Sequence, residues 1–152
     1  MKRMFKIYLD TSVISALFDE RNPERMSSTS VFFRDIGNFE LCISEVVVME
    51  IARTPDLKLQ NKMREISSKI PIISLTDDVE WLAGEYIHYG AVPDDYQEDA
   101  YHIAIAVINQ MDYLLSWNFK HIVRVKTRDI VRMVNTIHGF RHVEIVTPAE
   151  LL

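Results

Sequence analysis

Short apolar runs alternate with longer helical stretches along this chain, and that alternation constrains its fold more than any other feature. FKIYL at 5–9, LCI at 41–43, PIISL at 71–75, DYLLS at 112–116 and HVEIV at 142–146 read as strands. Between them the periodicity predicts helices near 12–18, 24–37, 45–53, 57–69, 78–89, 96–110 and 127–138. Gly90 and Gly139 stand where a left-handed residue would close two of these helices. Such alternation predicts the α/β class, a three-layer α/β/α sandwich on a mainly parallel central sheet. No repeat or linker interrupts the pattern, so one domain over 1–152 is expected.

In parallel sheets, sites form beyond the carboxyl ends of strands, near the point where strand order reverses. Acids that follow strands are therefore the ones to weigh. Asp10 follows the first strand in IYLDTS, where it can cap the next helix and have its carboxylate fixed by that same geometry. Glu50 interrupts the apolar SEVVVMEIAR, a helix opened by Ser44 and expected to be covered nearly all round. Arg53, three residues on, offers Glu50 an ordinary surface partner. Asp99 heads DAYHIAIA, in the first turn of an alanine-rich helix, where a dipole contact would also suit it. Asn118 follows the fourth strand in LLSWNFKHI, a turn position whose amide oxygen could also bind a hard cation. Asp112 could assist from the start of that strand.

Three carboxylates brought together repel one another, and a divalent cation removes that penalty. Oxygen-only ligands select Mg²⁺ or Mn²⁺ over zinc. The single cysteine, Cys42, excludes an intramolecular disulfide and a cysteine zinc cluster. No apolar run approaches a membrane span, and the basic start MKRMFKIYLD has no long apolar region, so a cytoplasmic protein without a leader is expected.

Charge is unevenly spread. Residues 77–100 carry eight acids and no Lys or Arg, whereas 118–142 carry six bases against one acid, Asp129. Two solvated faces of opposite sign explain this as well as an acidic pocket beside a basic rim does. Arg128 and Arg132, four apart on a predicted helix, are candidate phosphate contacts on such a rim. Trp117 suits rim packing better than base stacking, and the five histidines show no paired ligand spacing.

Taken in order, Asp10-Thr11-Ser12, Ser44 through Glu50, Glu98-Asp99-Ala100 with Ile103, Ala104 and Ala106, and Leu114 through Asn118 resemble the PIN-domain family, which includes the VapC-type toxins. The resemblance covers nearly the whole chain. It implies a PIN-like fold, Mg²⁺ or Mn²⁺ held by Asp10, Glu50 and Asp99, and RNA hydrolysed by activated water, with Asn118 positioning water or phosphate. It also implies a homodimer and an antitoxin partner. The chain departs from the family at Asn118 and His121, where acids are frequent, which predicts a weaker second metal position. An inactive scaffold binding RNA or protein is the alternative. A receiver-like domain fits less well, because Asp10 has no acidic neighbour and Lys120 is offset; a haloacid-type phosphatase would need Asp-x-Asp.

Overall fold

The computed structural model describes residues 4–152, so the basic start at 1–3 lies outside it. Five strands form one sheet: β1 (Phe5–Leu9), β2 (Phe39–Ser44), β3 (Ile72–Ile73), β4 (Tyr113–Leu115) and β5 (Glu144–Val146). Among the described residues seven α-helices flank it: α1 (Thr11–Ala16), α2 (Pro23–Arg34), α3 (Glu45–Ala52), α4 (Leu57–Ser67), α5 (Asp77–His88), α6 (Gln97–Ile108) and α7 (Val125–His138). Strand order is β3-β2-β1-β4-β5, and every pairing is parallel. The chain fills one side from β1 outwards, then crosses to the other. Strand order therefore reverses between β1 and β4.

The central position of β1 follows from its side chains. Ile7, Tyr8 and Leu9 are fully buried, and β1 pairs Ile7 with Leu41 on one side and with Tyr113 on the other. Burying one such aliphatic side chain is worth ~1.5–3 kcal/mol, so the apolar carboxyl half of the strand belongs inside. Helix α6 is buried along most of its length, with Ala100, Ala104 and Ala106 giving its neighbours close approach. Cys42 lies in the core, where burial pushes its thiol up to about 12.

Local chemistry sets the element ends. Ser44 caps α3 by accepting the Val46 N–H, and Asp56 caps α4 through the N–H groups of Lys58 and Leu59. Gly90 and Gly139 adopt φ values of 83° and 75° at the ends of α5 and α7, as glycine permits without strain.

Two expectations need correction. Helix α3 is not covered all round: Val48 and Met49 are exposed, because α3 packs only its Val46, Val47 and Ile51 face inward. The candidate helper Asp112 sits at the amino end of β4, accepting the Lys6 N–H and meeting Arg141. Parallel strands put that end opposite to the acids, so Asp112 has no part in their site.

Candidate metal and nuclease site

Asp10 leaves β1 at its carboxyl end, and its backbone N–H donates to Leu115 O of β4 at 3.2 Å. It stands at the strand-order reversal, as expected. Its carboxylate caps α1 through the Val13 N–H at 3.3 Å. The same Oδ1 accepts the Ser12 hydroxyl at 2.5 Å, and Oδ2 accepts the Ser116 hydroxyl at 2.5 Å. Those two hydroxyls are themselves oriented, since Ser12 Oγ accepts the Trp117 N–H and Ser116 Oγ the Asn118 N–H. Capping and site-building are thus one arrangement. At 3% exposure Asp10 is nearly dry, and burial raises its carboxyl despite opposing help from His102, Ser116 and Ser12.

Glu50 projects from the second turn of α3. Its Oε1 accepts the Thr11 hydroxyl at 2.8 Å and the His102 Nε2–H at 2.6 Å. Burial works to raise this carboxyl, but His102 and Thr11 outweigh it and hold it below the ordinary value. His102, fully inside α6, turns its other ring nitrogen to the Tyr8 hydroxyl at 2.7 Å, and Tyr8 meets Ser44 Oγ at 2.7 Å. A continuous polar chain therefore runs from the cap of α3 through β1 and α6 to Glu50. Burial opposes the charged form of His102, yet Glu50, Asp10 and Asp99 together raise its pKa.

Asp99 occupies the first turn of α6, and its Oδ2 lies 3.0 Å from His121 Nδ1. Asn118 spends its amide oxygen on the His121 N–H at 2.9 Å, closing the turn after β4. It performs the turn role and, through His121, sits two hydrogen bonds away from Asp99. A polar cleft of about 430 Å³ opens here, lined by Glu50, Asp95, Tyr96, Glu98, Asp99 and Tyr101. Arg53 pairs with Glu98 rather than with Glu50.

The basic segment is more structural than its composition suggests. Arg124 bonds Thr127, Arg141 bonds the carbonyls of Gln110 and Met111, and Arg128 reaches Ile145 O at 3.4 Å. Arg128 and Arg132 stand on α7, with Arg128 against the edge strand β5 and Arg132 exposed; neither has a hydrogen bond to an acid of the site. Trp117 packs at the rim and donates its indole N–H to Thr29.

Sequence reasoning missed Thr11, Ser12, Ser116, His102 and His121 as partners of the three acids. The only signal was adjacency: Thr11 and Ser12 follow Asp10, and Ser116 precedes Asn118 by two. The histidine pairings span 52 and 22 residues and left no local trace.

Among the described residues, no three His, Cys, Asp or Glu side chains stand close enough to hold an ion together. The donor set has the chemistry of a hard-cation site all the same. It offers oxygen only, and the dry Asp10 carboxylate has no Lys or Arg hydrogen-bonded to it. Glu50 and Asp99 instead each lean on a histidine.

The PIN domain profile matches residues 7–118, most of the chain and every acid placed above. The chain belongs to the PIN domain family. No curated protein matches this PIN domain. Among solved structures it is similar to the Mycobacterium tuberculosis toxin VapC20, described as cleaving the sarcin-ricin loop. That likeness has a TM-score of 0.59 at 17% identity, covering 76% of this chain and 92% of the toxin. It is also similar to VapBC2 from Rickettsia felis, bound there to a promoter DNA fragment. Here the TM-score is 0.57 at 12% identity, covering 93% of this chain and 97% of the other. At these identities the likeness is one of fold, that of VapC toxins.

Proposed function

We propose that this PIN domain is an endoribonuclease dependent on Mg²⁺ or Mn²⁺ and the toxin of a VapBC-type pair. The observation that supports the reading is a hydrogen-bond network tying the three acids together: Thr11, next to Asp10, donates to Glu50, and Asp10 is linked through Ser116, Asn118 and His121 to Asp99. Asp10, Glu50 and Asp99 would hold the cation. Bound there, it would lower the pKa of a water and offset charge growing on the phosphate oxygens.

The chain's own residues support hydrolysis by water rather than by a side-chain nucleophile. Ser12 and Ser116 are committed to Asp10, with backbone N–H groups fixing their orientation. Glu50 is positioned by Thr11 and His102, and Asp99 by His121. Asn118 holds the turn that carries His121, so its part is to position rather than to ligate. Arg128 and Arg132 would meet phosphates well away from the scissile bond.

An RNA-binding or protein-binding scaffold of weak activity is the second reading. It is favoured by the amide of Asn118 being spent on a turn, at the position where the family resemblance leads one to expect an acid. A second copy of the chain and an antitoxin are the proposed partners, and the exposed Val48 and Met49 of α3 give an apolar surface for one of them. No helix among the described residues is long and apolar enough to cross a membrane, and a cytoplasmic setting suits the proposed substrate.

Cleavage of a labelled RNA in Mn²⁺, by wild type, Asp10→Asn and Asp99→Asn, tests the reading. Wild type should cut and both variants should lose at least ~100-fold, as for removal of a principal electrostatic group. Cutting that persists in EDTA, or in both variants, overturns it.

A further inference from the structure

Tyr8 is fully buried on the central strand, where a phenylalanine would fill the same space with no polar group to satisfy. Its hydroxyl stands 2.7 Å from Ser44 Oγ and 2.7 Å from His102 Nδ1, both also buried.

The protons along this chain follow from its far end. The Glu50 carboxylate only accepts, so the His102 nitrogen 2.6 Å from its Oε1, Nε2, carries a proton. In the neutral ring Nδ1 is then bare and requires a donor, which the Tyr8 O–H supplies. The Tyr8 oxygen accepts the Ser44 O–H, and Ser44 Oγ accepts the Val46 N–H at 3.2 Å. Every proton therefore points from the start of α3 towards Glu50. The opposite direction would set a bare Nε2 against the carboxylate.

The two donors to Glu50, Thr11 and His102, both engage Oε1, and neither engages Oε2. Glu98 also approaches this carboxylate and is itself paired with Arg53. We propose that Tyr8 is a positioning residue, which fixes His102 so that Glu50 is held by Oε1 and keeps Oε2 to ligate the cation. The inference rests on the metal-dependent nuclease reading and adds which oxygen of Glu50 serves it. A carboxylate clamped by one oxygen gives a single ligand at a fixed place, as the small octahedral shell of Mg²⁺ demands.

Two measurements test this. Imidazole ¹⁵N spectra in EDTA at about pH 9 read the ring directly. Wild type should show His102 protonated at Nε2 and bare at Nδ1, and Tyr8→Phe should lose that preference. Calorimetry with Mn²⁺ reads the consequence. Tyr8→Phe and Thr11→Val should each bind at least ~10-fold more weakly than wild type. Thr11→Ser keeps the hydroxyl and should restore binding to within about 2-fold of wild type. Circular dichroism checks that each variant is folded, and the wild-type spectrum needs no variant. A wild-type ring protonated at Nδ1, or wild-type affinity in both Tyr8→Phe and Thr11→Val, overturns the positioning role alone. Wild type that takes up no Mn²⁺ overturns the metal-dependent reading with it. Mn²⁺ binding that responds as described, without RNA cleavage, overturns only the nuclease reading.

Discussion

His102 meets Glu50 at 2.6 Å through one ring nitrogen and Tyr8 at 2.7 Å through the other. Glu50 and His102 share a hydrogen bond, so each partner sets one side of a pH window. Glu50 is held below its ordinary value of about 4.5, so its contribution to stability is present above that pH and lost as pH falls through the lower folded value. His102 is held above about 6.5, so its contribution is complete below that pH and lost as pH rises through the higher folded value. Urea unfolding in EDTA should show wild type exceeding His102→Gln most at about pH 5.5 and least near pH 9. A difference that does not vary with pH contradicts the pairing.

The hydroxyl cage of Asp10 predicts an asymmetry between two substitutions. Asp10→Asn keeps the helix cap, since Asn caps about as well as Asp, and removes a charge that burial disfavours. Without metal, its urea midpoint should equal or exceed that of wild type. Ser116→Ala removes the donor to Asp10 and the acceptor of the Asn118 N–H, and should cost about 1–3 kcal/mol. Asp10→Asn proving the less stable of the two would show that the carboxylate has a partner the cage does not explain.

Asn118 predicts a split between charge and turn. Asn118→Asp keeps the acceptor for the His121 N–H and adds an anion two hydrogen bonds from Asp99, through His121, so Mn²⁺ affinity should rise while the melting temperature holds. Asn118→Ala breaks the turn, and calorimetry should find weaker metal binding with a melting point a few degrees lower. Unchanged Mn²⁺ affinity in both variants would remove Asn118 from the site.

The fold was legible because its periodicities were local. FKIYL marked β1 to the residue, Ser44 marked the start of α3, and Gly139 marked the end of α7, each through chemistry within one turn. Where the reading missed, the deciding contact was remote. PIISL shrank to Ile72 and Ile73, the two residues that pair in register with β2. The outward face of α3 was invisible, since an apolar helix reads alike whether it is covered or waiting for a partner. Asp10 drew weight from its place after a strand, Glu50 from interrupting an apolar helix and Asp99 from heading one, whereas the choice of histidine for Glu50 and Asp99 depends on how α6 and the β4 turn come together in space.

The proposed function requires that one cation be shared by Asp10, Glu50 and Asp99, which stand on three separate elements. A calorimetric titration with Mn²⁺ of the wild type, Asp10→Asn, Glu50→Gln and Asp99→Asn tests this without any substrate. Wild type should bind saturably and each single variant should lose at least ~10-fold, because each substitution would remove one oxygen ligand from the same ion. Wild type that takes up no Mn²⁺, or variants that bind it as wild type does, would contradict it.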